Sequence, residues 1–480
     1  RPLNSVTVSM SAWGAMAPRP ARIIYFPMEI ASRELDSRLL LAAIAAAHGF
    51  EVVLGQKWLI ERNIEFMTPG VYLSKTLTVR DAKMLQRAKA AGYITAAIDE
   101  EIPGLVVHDR KFWWVSRDAV DATDLIFLPG TYNSSAFGAV FELGEGRVRR
   151  AANPRWDLLR KELRPLFADE VAQLRRRYGD FILVNSNLGA TNSRKGDARQ
   201  MIQGLIDQGK VDANDTELLR DLDHIVEMEG QNRAALIELL PMLVQRFPSR
   251  RIILRPHPSE VVENWWQWLG GCPEVEVVQE GAVAPWILAA HVLVHTNCTT
   301  GVEAIALDKP SICLVPAENP ANRRYLANLV NPVTRNTSDT IAEIERVLAA
   351  PDRCYSETMM TCFRDSLSFD PGRLGAESIV EDIVALGNER GWSEPAGEVS
   401  DWRAYSGYRW RQKDKNVRGI LFPDGSLASV EARLEQYAKL LDLEIRLKPT
   451  ACGSKVMLLS PRPLALGTRM RRAIGALKRA

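Results

Sequence analysis

The sequence has little cysteine: Cys272, Cys298, Cys313, Cys354, Cys362 and Cys452 are spread thinly over 480 residues, with no CxxC pair. That spacing argues against a zinc site and against a disulfide framework, and it fits a reducing compartment. Excess charge of one sign is also missing. The formal net charge is +2, so there is no overall electrostatic case for nucleic acid. No run approaches the roughly 18 uncharged apolar residues that a spanning helix needs. Residues 1–20 contain no sustained apolar stretch and do not read as a signal peptide or an anchor. These absences lead us to expect a cytoplasmic protein, with peripheral attachment to the inner face of the plasma membrane left open. Internal repeats and low-complexity tracts are absent as well.

What is present is the balance of a globular protein, 46% hydrophobic and 25% charged, at a length that calls for two or three domains. The run Arg22-Ile23-Ile24-Tyr25-Phe26 predicts a buried strand ending at Pro27. A helical stripe follows (Leu35, Leu39, Leu40, Ala43, Ile44, Ala47), and Glu51 to Gly55 predicts the next strand. Strand–helix–strand units with short loops make a parallel sheet covered by helices. Further units follow, with a helix over 79–91 and strands at 94–98 and 125–128. The pattern restarts after a basic helical stretch at 170–178, with strands at 181–185, 251–255, 275–278, 291–295 and 311–315. Two successive α/β domains are the economical arrangement, with loops at their strand ends facing a shared cleft. Beyond Gly391 the pattern changes. Trp392, Trp402 and Trp410, a short strand–helix–strand pattern and a basic end (Arg469, Arg471, Arg472, Lys478, Arg479) predict a small α+β appendage, and residues 391–480 are expected to be dispensable for folding of the rest.

Five stretches offer chemistry. Arg255-Pro256-His257-Pro258-Ser259-Glu260 stands directly after a strand, where Arg255 and His257 can contact a phosphate by charge-assisted hydrogen bonds, although a stiff turn accounts for the same residues. His295-Thr296-Asn297-Cys298-Thr299-Thr300 places hydroxyl groups where a helix begins, and a helix start attracts anions. Thr299 or Thr300 can equally be an N-cap, and a cap can also face a phosphate. Glu303, one turn further, can accept from ribose hydroxyls or be a solvated helix residue. Asp99-Glu100-Glu101 follows an apolar strand. Crowded carboxylates can supply a general base, and a solvated turn is the competing account. Asn185 and Asn187 lie in a small, polar loop after the second domain's first strand, suited to wrap a donor, or simply to turn. Glu29, with Arg33, Glu34 and Asp36, is a further acid candidate. No DxD pair stands in a loop fit for a metal, since Asp221-Leu222-Asp223 lies in a helical pattern, so neither a metal nor a cofactor is expected.

Taken together, the order of these stretches resembles GT-B-type glycosyltransferases that use CMP- or CDP-linked donors, such as sialyltransferases, Kdo transferases and teichoic-acid polymerases. It is most similar to the group called surface carbohydrate biosynthesis proteins. The resemblance rests on Pro27-Met28-Glu29 with Arg33-Glu34-Leu35-Asp36, Asp99-Glu100-Glu101, Asn153-Pro154-Arg155-Trp156-Asp157, Val184-Asn185-Ser186-Asn187 and Arg255-Pro256-His257-Pro258. It covers roughly residues 22–386. Arg149-Arg150-Ala151-Ala152 departs from it, where a small pair such as Thr-Gly is expected. The resemblance implies a Rossmann-like acceptor domain over 22–165 and a Rossmann-like nucleotide-sugar donor domain over 166–388 facing a cleft, with 389–480 outside it. It implies transfer of a sugar, a CMP-sugar favoured, to a surface glycan or lipid-linked glycan acceptor; the missing DxD loop, with a His-Arg site and a helix start to meet the phosphate, favours a metal-independent reaction. One of Asp99, Glu100 and Glu101 would activate the acceptor hydroxyl, His257 would stabilise the departing phosphate, and Thr299 and Thr300 would help hold it. A non-hydrolysing nucleotide-sugar epimerase, which shares the fold, and a non-catalytic glycan-binding protein are the alternatives.

Overall fold

A computed structural model describes residues 19–29, 31–100, 112, 114–144, 146–194, 196, 198–208, 212–214, 216–351, 354–369, 372–393, 427–451 and 456–463. The first sheet draws on β1 (Ile23–Met28), β2 (Glu51–Gln56), β3 (Val71–Ser74), β4 (Ile94–Ile98), β5 (Leu125–Leu128) and β6 (Val148–Arg150). The second contains β7 (Phe181–Asn185), β8 (Arg251–Arg255), β9 (Val275–Val277), β10 (Val292–His295), β11 (Ser311–Leu314) and β12 (Val333–Thr334). A closing hairpin, β13 (Ile445–Ala451) and β14 (Val456–Pro463), returns to the first sheet.

The strands are apolar on both faces because helices cover both. In β1, Ile24, Phe26 and Met28 enter one hydrophobic cluster while Ile23 and Tyr25 enter another. In β7, Phe181 and Leu183 face one cluster, and Ile182 and Val184 face the opposite one. This two-faced burial explains the short uninterrupted apolar runs of a parallel sheet. β3 has only four residues, between Gly70 and the polar Ser74-Lys75-Thr76, which is why its sequence gives so weak a strand signal. Gly70 is required there, since a Cβ would lie 2.3 Å from the Ile23 carbonyl oxygen.

Strand order shows where each sheet opens. The first runs β13-β14-β2-β1-β3-β4-β5-β6, so the chain leaves β1 for β2 on one side and resumes with β3 on the other. The second runs β12-β11-β10-β7-β8-β9, with the same reversal between β7 and β10. Such reversals leave a crevice at the carboxyl ends of the central strands, the binding place in open α/β sheets. The two Rossmann-like α/β domains expected from the sequence are present, and their crevices lie at β1/β3 and β7/β10.

Two segments cross between these sheets. The linker helix Pro154–Asp157 follows β6: Asn153 caps it by accepting from the Arg155 N–H at 2.9 Å, Pro154 fills its first turn, and Trp156 is buried. The helix Gly375–Arg390 comes back from the second domain to pack on the first helix, Ala31–Ala47, and on the linker helix. Asp157 joins the crossings, accepting from the N–H groups of Gly375 and Ala376 at 2.9 Å each. Burial raises its carboxyl to about 6 despite those bonds and Arg160.

The described part of the expected appendage, the helix Leu427–Leu440 and the hairpin, is built into the first domain. β14 pairs antiparallel with β2 from Val456–Gly55 to Leu459–Val52, and Val430, Leu434, Tyr437 and Leu459 are buried in the core cluster of that domain. Removing 391–480 would strip the edge of β2 and uncover the first helix, so the expected dispensability gives way to a structural role. The first strand of that strand–helix–strand pattern, expected over 419–422, lies outside the described residues, as do Trp402 and Trp410. Burial of a large apolar side chain is worth about 1.5–3 kcal/mol, and its deletion leaves a cavity as well. Leu434→Ala is therefore expected to cost about 2–4 kcal/mol and to lower the melting temperature. Unchanged melting would show that this helix adds nothing to the core.

Candidate active site

At the β7/β10 crevice, register aligns two of the expected binding residues, Asn185 and Arg255, with His295. His295 pairs with Asn185 and Asn185 with Arg255, so their side chains leave the sheet on one side in a row. The Asn185 side-chain oxygen, the Thr296 hydroxyl, the Glu303 Oε2 and the Arg255 Nε are buried and have no hydrogen-bond partner among the described residues. Buried polar atoms are ordinarily paired, since leaving one unmade costs about 1–3 kcal/mol. Orphans gathered at a topological reversal mark a place where a polar ligand supplies the missing partners.

The other groups of the row have structural duties. The Arg255 guanidinium donates through Nη2 to the carbonyls of Glu280 and Gly281 at 2.8 Å each and stacks 5.2 Å from the Trp286 ring. Burial lowers it to about 10; Nη2 is engaged by those carbonyls, and Nε is left over. His295 is fully buried, and burial pushes it down to about 3, so its ring is neutral. Gly301 makes room for that ring, because a Cβ would come within 2.0 Å of His295 Nε2. Asn297 adopts φ +47, which asparagine tolerates. Its side chain donates to Asn322 at 3.1 Å and accepts from Asn328 at 2.6 Å, so it builds the loop instead of facing a ligand. Asn187 ties the two crevice loops together, donating to the Asn297 carbonyl at 3.0 Å. The short helix Thr300–Ala306 starts here, and Thr299 makes no side-chain cap. Thr299 thus holds the N-cap position without its side chain capping the helix.

His257 stands exposed after β8. Its Nδ1 accepts from the Ser259 N–H at 3.2 Å and lies 2.8 Å from the Ser259 hydroxyl, which places the ring proton on Nε2 in the neutral tautomer. The turn is held by Glu260, a carboxylate with no exposed surface. Its Oε1 accepts from the N–H groups of His257 and Leu188 at 3.0 Å each and from the Ser186 hydroxyl at 2.9 Å. Its Oε2 accepts from the Trp265 indole at 2.8 Å and from Asn192 at 3.2 Å. Glu229, from the long helix Thr216–Arg246, clamps the same loop through the N–H groups of Ala190 and Thr191, both at 2.8 Å to Oε2. Burial raises its carboxyl to about 7. Neither carboxylate was expected as a site residue. Glu260 lay within the quoted motif, whereas nothing local to Glu229 connects it with residue 190.

In the first domain the acids separate by environment. Asp99 is buried and accepts from the Trp114 indole at 3.3 Å. Glu100 accepts from Arg38 Nη2 at 2.8 Å, and its N–H donates to the Lys75 carbonyl at 3.1 Å. Glu101 lies outside the described residues. Glu29, 47% exposed at the end of β1, bridges two ammonium groups, Lys75 at 2.8 Å and Lys57 at 3.3 Å. Glu34 completes the set, bonding Lys75 at 3.0 Å and the Glu29 N–H at 2.9 Å. Burial works against the charge on Glu29, but the hydrogen bond and charge of Lys75, with Lys57 behind, outweigh it and hold its carboxyl below the usual value. Lys75 escaped sequence reasoning because β3 itself was missed.

Arg155 of the linker helix joins the halves. It pairs with Glu303 of the second domain, and its charge is also felt by Glu100 of the first and by Cys298. The acid end of one sheet and the orphaned atoms of the other thus face a common cation. Among the described residues no group of three or more His, Cys, Asp or Glu is placed to hold a metal ion, and no helix is long and apolar enough to cross a membrane.

No family model matches the chain, and no curated protein sequence matches it. Solved structures do resemble it. The wall teichoic acid polymerase TagF aligns with 12% identity and a TM-score of 0.47, over 77% of this chain and 89% of that one. The UDP-GlcNAc 2-epimerase from Methanocaldococcus jannaschii aligns with 11% identity and 0.49, over 76% and 99%. Anabaena HepE in complex with UDP and glucose aligns with 13% identity and 0.42, over 76% and 99%. The likeness lies in the course of the chain.

Proposed function

We propose that the protein is a glycosyltransferase that moves a sugar from a nucleotide-activated donor to a surface glycan acceptor without a metal. The observation that carries this is the set of unpartnered buried atoms of Asn185, Thr296 and Glu303 beside His257 at the β7/β10 crevice. Phosphate oxygens accept from His257 Nε2–H and from the hydroxyls of Thr296, Thr299 and Thr300, and ribose hydroxyls donate to Glu303. His257 would neutralise charge on the departing phosphate as the glycosidic bond breaks. From the other side Glu100, oriented by Arg38, would take the acceptor's proton. Asp99 serves as the buried support of that turn. Among nucleotides the cytidine series is the favoured one, on the likeness of Arg255-Pro256-His257-Pro258 to enzymes with CMP- and CDP-linked donors.

A thermal-shift panel tests this. A nucleotide at 100 times its dissociation constant stabilises by about 2.7 kcal/mol. CMP or CDP should raise the melting temperature more than UDP or GDP, and His257→Ala should weaken the shift and slow transfer together. A response to UDP alone would overturn the cytidine preference and keep the nucleotide site. Conversion of a nucleotide sugar without acceptor would replace the transferase with an epimerase.

A further inference from the structure

Glu303 is 2% exposed and has only one guanidinium bonded to it, that of Arg155 on Oε1; its Oε2 is buried and unpartnered. Arg155 does not come from the domain that carries Glu303. It projects from the linker helix, whose position is fixed by the Asn153 cap, by buried Trp156 and by the two bonds from Asp157 to the returning helix. A second strut follows, since Arg164 donates to the Ala306 carbonyl at 3.1 Å and to Asp308 at 2.7 Å, holding the far end of the helix that bears Glu303. Burial works against the charge on Arg155, and Glu303, with Glu100 and Cys298 adding to it, more than restores it.

We propose that Arg155 is a positioning residue: from the linker it fixes one oxygen of Glu303, so that the other is presented to the ribose hydroxyls of the nucleotide. This rests on the assignment of Glu303 as the ribose seat. A buried carboxylate with both oxygens unbonded could rotate, which loses the directed acceptor. With Oε1 committed to a guanidinium, Oε2 has one direction. Recognition of the ribose then depends on a segment that belongs to neither sheet.

The test compares a ribonucleotide with its deoxy analogues, by titration calorimetry with CDP and UDP and with their 2′- and 3′-deoxy forms. The wild-type protein should bind at least one deoxy form about tenfold more weakly or worse, the loss of a hydrogen bond to a charged group. Glu303→Ala should abolish the preference. Arg155→Met should reduce it to about threefold or less, Arg155→Lys should restore part of it, because lysine returns the charge without the planar fork, and the double variant should bind like Glu303→Ala alone. A full preference in Arg155→Met, or losses that multiply in the double variant, would overturn the role of Arg155. Should the Met variant not fold, an unchanged ratio in Arg155→Lys and Arg155→Gln would do the same. Wild-type binding with no ribose preference removes the Glu303 seat and this inference, leaving the nucleotide site. Absence of binding to either nucleotide removes the site as well.

Discussion

Glu100→Gln is expected to lower sugar transfer by about 10² or more while leaving nucleotide affinity unchanged. General bases contribute about 10²–10⁴ to rate. A base touches the acceptor hydroxyl and not the nucleotide, so its removal is felt only during transfer. Two of the three neighbouring acids, Asp99 and Glu100, can be compared by surroundings. Asp99 is buried against the Trp114 indole. Glu100 is fixed by Arg38 and sits near enough to Arg155 for each charge to act on the other. Asp99→Asn should therefore reduce stability more than it changes turnover at a given folded concentration. Full activity in Glu100→Gln would sink its assignment and turn attention to Glu29. That residue is the more accessible carboxylate, yet two lysines hold its proton affinity down, which makes it a weak base at neutral pH.

Local pattern exposed the fold wherever burial is two-faced. Strands such as Phe181–Asn185 and Arg251–Arg255 have apolar centres, Ile182-Leu183-Val184 and Ile252-Ile253-Leu254, because helices lie on both sides of the sheet. The short β3 failed for want of length, and the docking of the hairpin on β2 could not be foreseen, because edge pairing depends on partners 400 residues apart. The site was legible in its positions and less so in its roles. His257, Thr296, Asn185 and Glu303 stand where expected, at strand ends and a helix start. Arg255 and Asn297 stand there too, but the Asn297 amide and one end of the Arg255 guanidinium are spent on amides and carbonyls of neighbouring loops, leaving Nε of Arg255 over. A motif shows which residue types collect at a crevice. It does not show which atoms are left over once the loops have bonded to one another, and only the leftover atoms can hold a ligand.

The residue on which most of that loop bonding converges is Glu260, and its replacement is expected to have the largest effect on stability. Five donors from two loops and a helix end on its two oxygens: His257, Leu188, Ser186, Asn192 and Trp265. Glu260→Ala leaves them buried without an acceptor, at about 1–3 kcal/mol for each that cannot find another. Even two such losses are a large fraction of the roughly 5–15 kcal/mol that holds a domain together. Glu260→Gln keeps the shape and should fare little better. Every partner is a donor, so the new amide nitrogen must oppose either the Trp265 and Asn192 donors or the N–H groups of His257 and Leu188. Both variants should therefore lower the melting temperature by several degrees and weaken nucleotide binding, as the loop of residues 186–192 and the turn bearing His257 come apart. The comparison separates charge from shape. If Glu260→Gln melts like the wild type and binds nucleotide equally well, the carboxylate is not what joins the two loops, and the placement of His257 must rest on Pro256 and Pro258 instead.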